Sequence, residues 1–183
     1  MHTLILNGSP HPNGDTAWMI RTLRQNLSGT VTEIRAYDAA VRPCVDCRSC
    51  WKTPGCVIRD DMQRIYTEIQ AADRIVIASP IYFSELSGAL LAMLSRLQMY
   101  YAARRFLHTE LLQKPKRGAI LLCGGGDGSP QKAEQTAKTL LHFMRASAER
   151  TVCSLQTDEC PAVQDEACRA ALLQLATDWE TAL

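Results

Sequence analysis

Short apolar runs alternate with stretches of helical periodicity along the whole chain. TLILNG, RIVIASPIY and RGAILLCGGG have no helical period, which predicts buried strands, and TVTEIRAYD and ERTVCSLQT predict two more. Between them, segments such as DTAWMIRTLRQNL and the long SELSGALLAMLSRLQMYYA repeat apolar residues every three or four positions and predict helices. Five strand–helix units in succession predict an α/β fold, with a parallel sheet between layers of helices.

Composition narrows the class of protein only slightly. The 183 residues are 46% hydrophobic and carry a formal net charge of +1, so we expect neither a nucleic-acid nor a membrane-surface partner. No apolar run reaches membrane-spanning length, and MHTLILNGS lacks the pattern of a signal peptide, so we expect a cytoplasmic protein. No repeat or linker divides the chain, and we expect residues 1–183 to form a single domain.

Four unusual segments each follow a predicted strand: NGSPHPNGDT, the cysteine-rich CVDCRSCWKTPGC, SPIYFSELS and CGGGDGS. In a doubly wound parallel sheet the loops that follow strands emerge at one edge, where ligands bind near the switch in strand order. The four segments therefore predict one composite binding region at that edge.

The first of these segments has the features of an anion site. Gly8 and Gly14 permit tight turns, Ser9 and Thr16 carry hydroxyl groups, and the next helix directs its free N–H groups at the loop. It matches neither a GxGxxG nor a GxxxxGK[ST] fingerprint. An ordinary turn, with Asp15 or Thr16 as helix cap, explains the same residues equally well.

The cysteine-rich segment contains half of the eight cysteines: Cys44, Cys47, Cys50 and Cys56. Three thiolates at CxxCxxC spacing, with a fourth after the TPG turn, suit the corners of a [4Fe–4S] cluster. Structural zinc sites usually separate two CxxC pairs by a longer loop, and a redox CxxC pair normally opens a helix in a thioredoxin-like setting. A cysteine-rich loop that holds no metal stays an equal alternative to the cluster.

Three segments resemble, in the same order, motifs of the flavodoxin-like NADPH-dependent FMN reductase family. GSPHPNGDT is similar to its phosphate loop, commonly GSPRxxGNT, and ASPIYFSELSGALLAMLSR to its second flavin loop, commonly SPxYxxxxSgxlKxxxDR. The cysteine segment through VIRDDM resembles the iron–sulfur flavoprotein branch, and LLCGGG more weakly resembles the third flavin loop. The resemblance implies a three-layer flavodoxin-like fold with a five-stranded parallel sheet in the order 2-1-3-4-5.

The resemblance also implies FMN as cofactor and assigns residues to it. The implied phosphate neighbours are Ser9, His11, Asn13 and Thr16. The implied flavin-ring neighbours are Pro80, Ile81, Tyr82 and Phe83, with Gly124, Gly125 and Gly126 on the far side. The implied metal ligands, if a cluster is bound, are Cys44, Cys47, Cys50 and Cys56. No catalytic acid or base is implied, because the flavin carries the chemistry.

Several positions depart from the family pattern. His11 replaces an arginine, and Asp15 replaces an asparagine and is expected to cap the helix and point away from the phosphate. Asp46 stands where glycine is common, which would add negative charge beside a cluster. In the second flavin loop Leu91 and Ser95 replace a lysine and an aspartate, and Arg96 is kept.

The function that the resemblance implies is an FMN-dependent NAD(P)H oxidoreductase, which passes electrons from the nicotinamide nucleotide through FMN to a small-molecule acceptor. Two alternatives stay open: an electron-transfer protein that serves a protein partner, and a non-flavin binding module on the same fold. Oligomers are common in the resembled family, and this resemblance together with the helix end MYYAARRF suggests a homo-oligomer, a dimer or a tetramer. If a cluster is present, the cysteines are expected near the phosphate side of the flavin site.

Overall fold

Five parallel strands form the centre of the computed structural model, which describes residues 1–181. They are β1 (His2–Asn7), β2 (Thr30–Arg35), β3 (Arg74–Tyr82), β5 (Lys116–Gly124) and β6 (Ala146–Leu155), and a two-residue strand, β4 (Glu85–Leu86), pairs antiparallel with the end of β3. The order β2-β1-β3-β5-β6 confirms the predicted order of the five parallel strands, and β4 is an addition that the sequence pattern did not predict. The expected single domain includes residues 182 and 183, which lie outside the described residues.

Six helices cover the two faces of this sheet. They are α1 (Asp15–Arg24), α2 (Met62–Ala71), α3 (Gly88–Leu94), α4 (Gln98–Phe106), α5 (Gln131–Phe143) and α6 (Glu166–Thr181). Apolar side chains of α1 and α6 form one buried core, and those of α2 to α5 form another. The three layers expected of this fold are therefore present.

The strands supply both cores because their side chains alternate between the two faces. In β3, Ile75 and Ile77 belong to the core under α2 to α5, whereas Val76 belongs to the core under α1 and α6. The same alternation holds in β5 for Ile120 and Leu121. A strand buried on both faces reads as a continuous apolar run, which is why these strands show no polar alternation in the sequence.

The long helix predicted over SELSGALLAMLSRLQMYYA is interrupted. Helix α3 ends at Leu94, a 3₁₀ turn spans Ser95–Leu97, and α4 begins at Gln98. The Ser95 hydroxyl donates a hydrogen bond to the Ala92 carbonyl (2.6 Å) and accepts one from the Cys44 amide (2.9 Å). The side chain thus competes for backbone groups at the point where regular α-helix stops.

Within residues 1–181, the helices are all too short or too polar to cross a lipid bilayer.

Candidate functional site

A cleft of about 390 Å³ opens at the carboxyl edge of the sheet, where β1, β3, β5 and β6 end. Its walls come from the first loop and the start of α1, from the end of β3, and from the loops after β5 and β6. The lining residues are Ser9, His11, Gly14, Asp15, Thr16, Pro80, Ile81, Tyr82, Cys123, Gly125, Gly126, Thr157 and Asp158. The predicted composite site therefore brings together eight of the eleven cofactor residues inferred from the sequence.

The floor of the cleft has the features of an anion site. Ser9 and Thr16 are each only 3% exposed and both face the cleft. The Ser9 amide donates a hydrogen bond to Asn7 Oδ1 (2.8 Å), and the His11 amide donates one to Ser9 Oγ (3.2 Å). These two bonds fix the turn. Helix α1 starts after an extended Gly14, with no side chain capping its first amides. Those N–H groups and the positive end of the helix dipole are therefore available to an anion.

Asp15 does not cap α1, so the expected capping role is wrong. Its carboxylate accepts the Ala162 amide (2.8 Å) and ties the start of α1 to the 3₁₀ turn Ala162–Gln164. The negative charge is thereby engaged by a partner outside the phosphate loop. Asn13 is exposed and is not among the residues that line the cleft.

Gly8 is required by a close approach between the first loop and the second. A Cβ at this position would lie 2.7 Å from Ser87 Oγ and 2.9 Å from Leu90 Cδ2, both buried at the start of α3. The Gly8 amide also donates to the Ala78 carbonyl (2.8 Å). The missing side chain lets the phosphate loop sit directly against the helix that follows the second loop.

The second loop contributes Pro80, Ile81 and Tyr82 to the cleft, but Phe83 lies outside its lining. β3 and β4 form a hairpin whose two turn residues, Phe83 and Ser84, have φ of 54° and 62°. Two successive residues with positive φ match the turn geometry that tight hairpins prefer. This turn directs Phe83 to solvent, where it is fully exposed.

The third loop contributes Gly125 and Gly126, whereas Gly124 is the buried last residue of β5 and stands behind the cleft. The loop after β6 was missed by the sequence reasoning, although Thr157 and Asp158 both line the cleft. A Cβ built at Gly125 would lie 2.6 Å from the Asp158 carboxylate oxygens, so the two loops touch. The signal that could have found them is topological, since they follow the fifth strand at the same edge.

Cys123 was not predicted to line the cleft either. Burial raises the pKa of its thiol to about 12. The side chain is therefore a neutral, apolar part of the wall at neutral pH.

The four clustered cysteines line one common cavity of about 20 Å³, separate from the cleft. Cys44, Cys50 and Cys56 are partly buried and Cys47 is exposed. Arg48, Trp51, Arg96 and Met99 also contribute to its wall. The loop lies against the α3–α4 junction and shares no lining residue with the cleft in the described chain. Its expected position near the phosphate side of the flavin site stays a prediction.

Two left-handed residues shape the cysteine loop. Asp46 has φ 48° and Arg48 has φ 60°, one on either side of Cys47. A positive φ suits glycine, the residue that the family resemblance implies at position 46. Asp46 Oδ2 accepts a hydrogen bond from Arg48 Nε at 3.2 Å, so the carboxylate charge beside the thiols is offset by a neighbouring cation.

The buried Arg96 joins the two ends of the loop. Its Nη1 donates to the Arg42 carbonyl (2.9 Å) and to Asp60 Oδ2 (2.8 Å), and its Nη2 donates to the Ile58 carbonyl (3.1 Å). Arg42 precedes the first cysteine and Ile58 follows the last. Burial opposes ionisation of Asp60, but hydrogen bonds from Arg96 and from backbone amides lower its pKa below the usual value.

The thiols of the loop influence one another electrostatically. Burial raises the pKa of Cys50, and the charges of Cys56, Cys44 and Cys47 raise it further. Hydrogen bonds from the backbone and hydroxyl of Ser49 lower the pKa of Cys47. Four thiolates in this space thus repel one another, and a bound cationic centre would stabilise them.

The donor set of the loop consists of four cysteine thiols, which is the kind of set that binds iron–sulfur clusters. In the part of the chain that is described, no three Cys, His, Asp or Glu side chains converge as ligands of one metal ion. A tetrahedral zinc needs four sulfurs about 2.3 Å from one point, whereas a cluster binds each thiolate to a different iron. Four cysteines around one cavity match the second arrangement in kind and number.

The fold defines a flavodoxin-like protein, and its cleft opens at the uncapped start of the first helix. The family model for NADPH-dependent FMN reductase matches residues 1–156, and the chain belongs to that family. An iron–sulfur flavoprotein of Methanocaldococcus jannaschii is 32% identical over 99 residues, 52% of this chain and 51% of that protein. One from Methanosarcina thermophila is 35% identical over 104 residues, 56% of this chain and 51% of that protein. The chain thus spans about half the length of these curated relatives.

Solved structures confirm the fold. The FMN complex of an FMN-dependent NADH-azoreductase from Bacillus anthracis superposes with a TM-score of 0.68 at 16% identity, covering 98% of this chain and 99% of that one. At this identity the likeness is one of architecture.

Gly8→Ala should lower the free energy of unfolding by about 1–3 kcal/mol, because the added methyl group must displace the buried Ser87 and Leu90 side chains. Gly126→Ala is the matched control, since a Cβ there meets nothing within 4 Å. Urea unfolding of both variants measures the difference. Equal stability of the two would show that the first and second loops do not pack as described.

Proposed function

We propose that this protein is an FMN-dependent NAD(P)H oxidoreductase that passes electrons to a small-molecule acceptor. The observation that carries the proposal is the uncapped start of α1, flanked by the buried hydroxyls of Ser9 and Thr16, in one cleft with an apolar wall and glycine backbone. FMN has a phosphate that suits the start of α1 and the two hydroxyls. Its flat, largely apolar ring suits the apolar wall and the glycine backbone. Membership of the FMN reductase family supports the same cofactor.

Each part of the cleft has a distinct task in this proposal. The α1 amides, Ser9 and Thr16 bind the phosphate, and the exposed His11 lies at the rim of the cleft as a further ring N–H donor. Pro80, Ile81 and Tyr82 supply the surface against which the ring lies, and the backbone of Gly125 and Gly126 approaches its polar edge. FMN supplies the redox chemistry when bound, and these residues hold and orient it.

The visible absorption spectrum and steady-state kinetics test the proposal together. Protein loaded with FMN should show flavin bands and oxidise NADPH or NADH continuously with a quinone or azo dye as acceptor. Flavin bands without such turnover would favour the alternative, an electron carrier that needs a protein reductase. Absence of flavin binding would leave a non-flavin module on this fold.

Thr16→Val should raise the dissociation constant for FMN roughly tenfold to a hundredfold, since a hydrogen bond to a charged group contributes about 1.5–3 kcal/mol. Thr22→Val is the matched control: it makes the same change on the same helix, at a buried position outside the cleft lining. Fluorescence titration of FMN measures both. An affinity unchanged by Thr16→Val would mean that the phosphate binds elsewhere.

We further propose that Cys44, Cys47, Cys50 and Cys56 hold a [4Fe–4S] cluster. The supporting observation is that all four line one cavity, in a loop clamped at both ends by Arg96. The curated relatives are named iron–sulfur flavoproteins, which supports the same kind of metal centre. A one-electron centre in the same chain as a two-electron flavin would suit a protein that delivers electrons singly.

Anaerobic reconstitution with ferrous iron and sulfide should yield about four irons and four sulfides per chain. Cys47→Ser should lose the iron and keep FMN binding, because the cysteine loop and the cleft share no lining residue among residues 1–181. Cys160→Ser, at an exposed cysteine outside the cysteine loop, should leave the iron content unchanged. Wild-type protein that stays free of iron would reduce the proposal to a plain flavin reductase.

The homo-oligomer is also a proposal, and its support is an exposed aromatic surface. Trp51 stacks on Phe106 (4.0 Å between ring centroids), and the half-exposed Tyr101 meets Phe106 edge-on. Only part of MYYAARRF is exposed, since Met99 and Tyr100 are buried.

Multi-angle light scattering should therefore give a mass of at least twice the 20.3 kDa of one chain at micromolar concentration. An apolar aromatic surface beside the cysteine loop favours burial against a second copy. A 20.3 kDa particle across a concentration series would contradict the oligomer.

A further inference from the structure

The guanidinium of Arg96 is buried and only partly used. The residue is 1% exposed, and its two terminal nitrogens make three hydrogen bonds to the ends of the cysteine loop. Its Nε, in contrast, is one of the few buried polar atoms in residues 1–181 that has no hydrogen-bond partner. A charged donor without an acceptor in a protein interior is unfavourable and calls for an explanation.

The surroundings of Arg96 differ from those of the other arginine with an unpartnered Nε. Arg74 packs its guanidinium 5.4 Å from the centre of the Trp179 ring and pairs with Glu180, in the core under α6. An orphan Nε alone therefore marks no site. Arg96 instead lines the cavity that the four clustered cysteines also line.

We propose that Arg96 is a positioning residue for the cluster, and that its Nε–H donates a hydrogen bond to a cluster sulfur, either a cysteine thiolate or an inorganic sulfide. The inference rests on the proposed [4Fe–4S] cluster. The two halves of the guanidinium then have separate tasks. The terminal nitrogens close the loop around the cavity, and Nε stabilises the negative charge within it.

This arrangement has a measurable consequence for the cluster. Hydrogen bonds to cluster sulfurs stabilise the more negative, reduced state and raise the reduction potential. Lysine at position 96 keeps the positive charge but lacks both the planar fork and Nε. Arg96→Lys should therefore shift the potential of the bound cluster to more negative values and reduce the yield of reconstituted cluster.

The matched control is Arg48→Lys. Arg48 lines the same cavity and also carries an Nε, but that Nε already donates to Asp46, and the side chain is largely exposed. The potential should stay at the wild-type value in this variant. Potentials are measured by anaerobic spectroelectrochemical titration of the full chain after reconstitution, with FMN binding as the check on folding.

A second measurement does not require the Arg96 variant to fold or to load iron. Wild-type protein is grown with arginine labelled with ¹⁵N only in the guanidino group, and the reduced cluster is studied by pulsed EPR. We expect a coupling between a ¹⁵N nucleus of the Arg96 side chain and the unpaired electron of the reduced cluster. This coupling should persist in Arg48→Lys protein. The absence of this coupling in iron-loaded wild-type protein overturns the proposal.

The remaining outcomes separate the two hypotheses. Iron-loaded Arg96→Lys protein with the wild-type potential, or an equal shift in Arg48→Lys, overturns the role of Arg96 and leaves the cluster intact. A wild-type chain that takes up no iron under reconstitution overturns the cluster and this inference together.

Discussion

The common direction of the five strands is the constraint on which the site depends. Because all five run parallel, every loop that follows a strand emerges at the same edge of the sheet. Residues that are far apart in sequence, such as Ser9, Tyr82 and Asp158, thereby line one cleft. Both faces of the sheet are buried under helices, so the positions of these loops are fixed by two cores rather than by the loops themselves.

The cysteine loop also begins at that edge but is positioned by a different interaction. Arg96, buried at the α3–α4 junction, holds the residues before the first cysteine and after the last. A second contact, from the Cys44 amide to Ser95, fixes the first cysteine to the same junction. The break between α3 and α4 and the path of the loop are therefore parts of one arrangement, in which the thiols do not line the cleft.

Sequence reasoning predicted the features that depend on local pattern. Apolar runs predicted the strands, and the loop around Ser9 and Thr16 was correctly located at the start of a helix. The features that it missed depend on tertiary contacts or on turn geometry. Positive φ at Phe83 turns that side chain out of the cleft, the Ala162 amide engages Asp15, and Asp158 enters the cleft only because β6 lies beside β5. The path of the cysteine loop depends on Arg96, a residue that is distant in sequence.

The central claim is that one chain carries a flavin cleft and a separate thiol-lined metal cavity. A crystal structure of anaerobically reconstituted protein with FMN, with diffraction recorded at the iron absorption edge, tests it most directly. We expect FMN in the cleft, with its phosphate at the start of α1 beside Ser9 and Thr16. We also expect an anomalous iron peak among Cys44, Cys47, Cys50 and Cys56. Flavin bound away from the start of α1, or iron bound by other residues, would contradict it.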